Sequence, residues 1–213
     1  MSEINEPGVK ERITQAATRL FARKGYSATG LREIVKEAGA SVAMVNYHFG
    51  SKEALLQSLM DAFFTSMHSI AVATLGGDGP PELRVRRHFR AAIAFFRKNP
   101  ELVRVAITEL PHDLPGIVEF KADRVMKIVS VFAGTFLPLL PEPIRAHIRP
   151  EIYGPAVMGA LSSHFLLRPV LESVFSMSFD DDFYENFADE LADLVMYGAL
   201  RAGDAGTRNE KDR

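Results

Sequence analysis

The stretch SVAMVNYHFGSKEALL, Ser41 to Leu56, decides how this chain is read. It sets a Tyr-His-Phe triplet, a Gly-Ser-Lys turn and a fresh helical start side by side. Ser41 follows the Gly39-Ala40 step and is placed to cap a short helix running to about Phe49. Gly50 breaks that helix, as a glycine after the last helical residue does. Ser51 caps again, and Lys52-Glu53-Ala54-Leu55-Leu56 opens a longer helix. In the short helix Val45 and Phe49 lie four apart and can face inward with Ala40. Val42, Ala43, Asn46 and Tyr47 are then left on the outer side.

Toward the N-terminus, Val9, Ile13, Ala16, Ala17, Leu20 and Phe21 recur at helical spacing between Lys10, Arg12, Arg19 and Arg23. Gly25 stops that helix. Thr29 is placed as the N-cap of a second helix, with Glu33 near the capping-box position. Leu31, Ile34, Val35 and Ala38 share one side of it, and Gly39 ends it. Two helices joined by a short glycine turn are the helix-turn-helix arrangement. In that arrangement the second helix enters the major groove with its N-terminal residues. The side chains here suit that use. Asn46 can offer a paired donor and acceptor to adenine, and Val42 and Ala43 can meet thymine methyls. Tyr47, His48 and Lys52 carry groups that hydrogen-bond phosphates, which position a protein without reading sequence. Lys52 also stands at a helix N-terminus, where free N–H groups favour an anion.

The run from Phe21 through Gly25-Tyr26, Thr29, Ile34, Ala38-Gly39 and Ser41, to Tyr47-His48-Phe49 and Ser51-Lys52-Glu53-Ala54-Leu55, resembles the DNA-binding domain of the TetR family of bacterial transcriptional regulators. About 45 residues carry the resemblance, a fifth of the chain. It implies a homodimer that binds double-stranded DNA at a palindromic operator and lets go when a small effector binds its C-terminal domain. By position it implies phosphate contacts from Thr29, Tyr47, His48 and Lys52, and Ser41, at the start of the same helix, is counted among the DNA-binding residues. Val42, Ala43 and Asn46 would face bases. Three positions depart from the family's habits. Gly30 replaces a more helix-favouring residue, Val42 a polar one, and Asn46 a frequent Tyr; these bear on the operator sequence.

The totals fit such a protein. The chain has 213 residues and is 47% apolar, a globular composition. Its net charge is −2, against a protein that coats nucleic acid along its whole surface. Residues 1–60 hold eight Lys/Arg against six Glu, so a mildly basic head precedes a more acidic body. Zero Cys excludes a disulfide scaffold and thiolate metal sites. The start, MSEINEPGVKER, is polar and carries no secretory signal, and no apolar run reaches membrane-spanning length. A soluble, cytoplasmic protein with no membrane partner is expected.

Beyond residue 56 the pattern stays helical, at about 82–98, 101–110, 115–137, 155–175 and 181–201. Gly76-Gly77-Asp78-Gly79-Pro80-Pro81 is a loop, prolines punctuate 111–115 and 138–150, and the tail from Ala202 reads as frayed. The fold class expected is all-α, with about nine helices. A helix-turn-helix domain spans 1–55 and a larger helical effector-binding and dimerisation domain spans 56–213. Apolar and aromatic residues at helical spacing could line a pocket: Phe63, Phe64, Met67, Phe89, Ile93, Phe96, Ile107, Phe132 and Phe165, with His164 as a polar anchor. Met60, Met126, Val129 and Leu110 share that pattern, and His68, Arg104 and His112 are further polar candidates. Buried helical faces look the same as pocket linings, and a lone His on an apolar face is more often a satisfied core residue. An apolar pocket implies a lipophilic effector.

Residues 155–171 carry small Ala156, Gly159, Ala160, Ser162 and Ser163 that would let helices approach closely. Residues 183–200 carry an apolar series from Phe183 to Leu200, and the resemblance implies a four-helix dimer interface there. Pro169 should kink or end the first of these helices. Asp180-Asp181-Asp182 favours the positive end of the last. The rival readings are a metal-dependent enzyme and a helical protein-interaction module without a DNA role. No catalytic motif is present, and no cofactor or metal is expected. Glu109, His112 and Asp113 are near enough in sequence to be weighed as a metal cluster.

Overall fold

The computed structural model describes residues 8–109 and 114–208, of which 197–208 are described as backbone alone. Every regular element among the described residues is helical. The order is α1 (Val9–Lys24), α2 (Leu31–Ala38), α3 (Val42–Phe49), α4 (Lys52–Leu75), α5 (Pro81–Lys98), α6 (Pro100–Thr108) and α7 (Ile117–Val131). A π-helical turn (Phe132–Phe136) and a 3-10 turn (Leu137–Leu139) follow. Then come α8 (Glu142–Arg145), α9 (Pro150–Leu166), α10 (Arg168–Phe175) and α11 (Asp181–Arg208).

Eleven α-helices among the described residues exceed the nine expected, and proline accounts for the difference. The pattern at 155–175 is two helices that break at Leu167. Pro169 lacks an N–H and crowds the carbonyl four residues back, so it sits in the first turn of α10, where donors lack helical partners anyway. The pattern at 115–137 gives way at Phe132 to a wider turn and then to a tighter one that contains Pro138. The short α8 lies within the proline-punctuated segment. α11 runs on to Arg208, past the point where the polar tail was expected to fray. Its start is capped by Asp180, whose Oδ1 accepts the Phe183 N–H at 3.0 Å.

The chain divides into two compact units. The first holds Met1–Ser66 and Asn99–Arg124, the second Met67–Lys98 and Val125–Arg213. In the first unit Ile13, Ala16, Ala17, Leu20 and Phe21 of α1 are buried with Ile34, Val35, Val45, Leu55, Leu59 and Phe63. Val103, Val105 and Ala106 of α6 are buried in the same unit, and α6 packs on α1. Arg124 closes the unit's far end with a 2.6 Å bond from its Nε to Asp61. In the second unit α5 packs on α11. Arg86 bonds Asp193 and the Asp189 carbonyl oxygen, Arg90 reaches Asp189 at 2.6 Å, and Arg97 pairs with Asp181.

Candidate nucleic-acid interface

The reading helix α3 is short, and its seat is narrow. Val45 is its one buried residue, at 0% exposure. Its ends are fixed by local bonds. Ser41 Oγ accepts the Met44 N–H at 3.4 Å, which makes Ser41 the N-cap. Gly39 turns the chain at φ 58 in the left-handed region, and the Ala40 N–H returns to the Val35 carbonyl at 2.9 Å. Gly50 repeats the device at φ 86, its N–H on the Asn46 carbonyl at 3.0 Å. Arg12 Nε ties the end of α2 to α1 through the Ala38 carbonyl at 3.1 Å, and Arg19 pairs with Glu37 at 2.8 Å.

One seat leaves most of α3 facing out. Val42, Ala43 and Asn46 are exposed together, and Tyr47 is 82% exposed. A large aromatic ring and an aliphatic side chain held in water on a capped helix stand out from an ordinary solvated face. Met44, 41% exposed, belongs to the same surface and was not singled out from the sequence. It lies one helical step from inward Val45, and that offset was the signal available. His48 is half-buried, with its ring edge 5.0 Å from Tyr47 and 6.3 Å from Phe49. The Lys10 ammonium stands 5.9 Å over the Phe49 ring.

Two expectations about this head change. Thr29 does not cap α2: Gly30 does, in extended conformation. Thr29 is 1% exposed, and its hydroxyl donates to the Gly25 carbonyl at 2.7 Å. As placed, its side chain is a strut of the Gly25–Gly30 turn and does not present itself to a phosphate. Glu33 is drawn to Lys24, whose ammonium holds its carboxyl below the usual range, and it also accepts the Gly30 N–H; the other half of a capping box is missing because Gly30 has no side chain to return the bond. Lys52 lies at the start of α4, behind a Ser51 whose Oγ accepts the Ala54 N–H at 3.0 Å. Its Nζ donates to the carbonyls of Tyr26 at 3.0 Å and Thr29 at 2.9 Å, and stands 4.0 Å over the Tyr26 ring. The cation is therefore also a clasp on the same turn.

The family model described as "Bacterial regulatory proteins, tetR family" matches residues 13–59, the segment just built. Over that segment the chain carries a tetR-family domain. The chain is 34% identical over 103 residues to an uncharacterized HTH-type transcriptional regulator of Bacillus subtilis, YerO, across 47% of this chain and 35% of that one. It is 26% identical over 132 residues to the HTH-type transcriptional repressor NicS of Pseudomonas putida, across 62% and 61%. The chain thus spans between about a third and three fifths of these curated relatives' lengths. Its fold is that of the transcriptional regulator FadR of Bacillus subtilis, solved in complex with stearoyl-CoA. The TM-score is 0.66 over 86% of this chain and 96% of that one, at 14% identity. All three are named as transcriptional regulators.

The residues weighed for a pocket fall in both units. Phe63 and Phe64 are buried in the first, rings 5.2 Å apart, and Ile107 there is half-buried. Met67, Phe89, Ile93 and Phe96 are buried in the second, Phe132 and Phe165 half-buried. The structure brings Phe96 and Phe165 together at 5.3 Å and sets His164 beside Phe165 at 5.4 Å. His164 also meets Phe179, Phe183 and Phe187, and its Nε2 shares a hydrogen bond with the Tyr184 hydroxyl at 3.2 Å. It is a satisfied histidine in an aromatic cluster, its pKa pushed down by burial and then by Arg168. Of the weighed metal cluster, His112 and Asp113 lie outside the described residues, and Glu109 is bonded to the Tyr26 N–H. Among the described residues no group of His, Cys, Asp or Glu could hold a metal, and no helix is long and apolar enough to cross a membrane.

Proposed function

We propose that this chain is a ligand-responsive DNA-binding transcriptional regulator, a repressor released from its operator by a small effector. The observation that carries the reading is the outward face of α3: Val42, Ala43, Asn46 and Tyr47 exposed together on a helix fixed by a serine cap and two glycine turns. A major groove admits such a helix, and these groups match base edges and methyls. Phosphate contacts come from Tyr47, His48 and Lys52. Two copies, each carrying one reading head, bind a palindromic operator whose half-sites lie about one helical turn apart.

The surface of the second unit supports the dimer. Ile152, Met158, Val170, Val174, Phe175 and Leu194 are large apolar side chains left in water, with Leu194 67% exposed. The small residues Ala156 and Gly159 of α9 are exposed beside them. A lipophilic effector is supported by the apolar residues weighed above and by the stearoyl-CoA named with the FadR structure. Release would follow from a population shift, in which the effector prefers the conformation that spaces the two heads wrongly for DNA.

Selection of random duplex DNA on the purified protein at near-physiological salt tests the reading. An enriched inverted repeat is the expected result. A folded protein that enriches nothing, with mass spectrometry finding no retained small molecule, would overturn it.

A further inference from the structure

The turn between α1 and α2 is bonded at Gly25, Tyr26 and Thr29, and one partner comes from far along the chain. The Gly25 N–H bonds the Phe21 carbonyl at 2.9 Å, and the Gly25 carbonyl accepts the Thr29 hydroxyl at 2.7 Å. The Tyr26 carbonyl accepts the Thr29 N–H at 3.2 Å and the Lys52 ammonium at 3.0 Å. The Tyr26 N–H goes to Glu109 Oε2 at 3.0 Å, a contact spanning 83 residues. Glu109 follows α6 directly and lies outside the matched segment 13–59. Its own carbonyl accepts the ammonium of Lys121. All of these residues belong to the first unit.

Tyr26 is thus gripped by charge at both ends: a carboxylate takes its N–H and an ammonium takes its C=O. Hydrogen bonds with an ionised partner are shorter and stronger than neutral ones, and bonds in a chain polarise one another. The turn's geometry invites the carboxylate. Gly25 sits at φ 81, where a side chain would be strained, and a Cβ there would stand 3.5 Å from Glu109 Oε1. We infer that Glu109 is a positioning residue of the DNA-binding head: it fixes the Tyr26 turn, and through that turn it sets where Lys52 holds its charge. This rests on the regulator reading for its consequence on DNA. The brace itself can be measured without DNA.

The test is a double-mutant cycle of Glu109→Ala and Lys52→Ala on the full chain, with Glu109→Gln as the conservative variant. Circular dichroism first establishes that each is folded. The first readout is hydrogen exchange at the Tyr26 amide. Glu109→Ala speeds it roughly tenfold or more, Glu109→Gln by much less because the carboxamide oxygen still accepts, and the double variant by less than the product of the singles. The second is binding of a mixed-sequence duplex at several salt concentrations. Glu109→Ala weakens it and flattens the salt dependence as Lys52→Ala does, and adds little when Lys52 is already gone. A side chain that merely stabilised the fold would leave the salt slope untouched. Unchanged Tyr26 exchange in Glu109→Ala overturns the proposal, as do independent effects of the two substitutions. A wild-type chain that binds no duplex defeats the regulator reading instead, and the exchange cycle still decides the brace.

Discussion

At the scale of single residues, the reading head assigns distinct tasks to side chains that look alike in sequence. Asn46 is exposed on the outer face of α3, so Asn46→Ala should change preference at one base pair and leave binding to other sequences nearly intact. Lys52→Ala should weaken binding to all sequences and lower the salt slope. Competition binding against an operator and its single-base variants separates the two outcomes, and equal losses on every sequence would refute the assignment. Thr29 makes a different forecast. Its hydroxyl is buried against the Gly25 carbonyl, so Thr29→Val should cost about 1–2 kcal/mol of stability in chemical denaturation, the scale of a lost buried hydrogen bond. The caps at Ser41 and Ser51 and the glycine turns were legible because each is settled within about five residues. The Glu109–Tyr26 bond was not, because nothing in the local pattern of either residue names the other.

At the scale of elements, α3 is held by one fully buried side chain, Val45, and two glycine turns. Val45→Ala should cost about 2 kcal/mol of stability from lost burial and the space left behind and should lower DNA affinity with it, whereas the exposed Val42→Ala should leave stability nearly unchanged. Urea denaturation and duplex binding on the same samples check both parts. The periodicity that found α1, α5 and α11 reports which face is apolar, not which helix covers it. The pairing of α5 with α11 therefore came from the structure, with Arg86, Arg90 and Arg97 opposite Asp193, Asp189 and Asp181. Arg86 bridges two aspartates and a carbonyl, and Asp189 Oδ1 already lacks a hydrogen bond in a buried position. Arg86→Ala should cost about 1–2 kcal/mol, less at high salt because the pairs are partly exposed. The Leu167 break was half legible: Pro169 announced it, and only the folded chain showed that a new helix starts at once.

At the scale of the whole molecule, acid should act on the second unit through two histidines. Burial holds His88 at about 4, from an ordinary value of 6.5, while its Nδ1 shares a hydrogen bond with Thr74 at 3.0 Å. His164 is lowered for the same first reason. Both prefer the neutral form when folded, so the unfolded chain binds more protons below 6.5, and stability falls as pH drops from 6.5 toward about 4. For His88 the slope approaches about 1.4 kcal/mol per pH unit between those two values, and His164 adds to it in the same direction. Denaturation midpoints from pH 7 to pH 4.5 should show it, and His88→Gln should remove part of the slope. The exposed apolar series on α9, α10 and α11 predicts a dimer in sedimentation at micromolar concentration. Charged substitutions at Val174 and Leu194 should shift it toward monomer.

The sequence by itself determined that the described chain is helical, where its glycine turns fall, and that residues 41–56 make a short capped helix and the start of the next. Those features rest on caps, glycines and periodicity, interactions that close within one or two turns of the chain. Only the tertiary structure decided that Thr29 is a strut, that Glu109 and Lys52 grip the N–H and the C=O of Tyr26, and that His164 is satisfied within an aromatic cluster. Thr29 bonds within its own turn and only its burial is tertiary; the other two depend on side chains from distant segments meeting in space, and the apolar pattern that drives helices together is indifferent to which polar partners meet when they do.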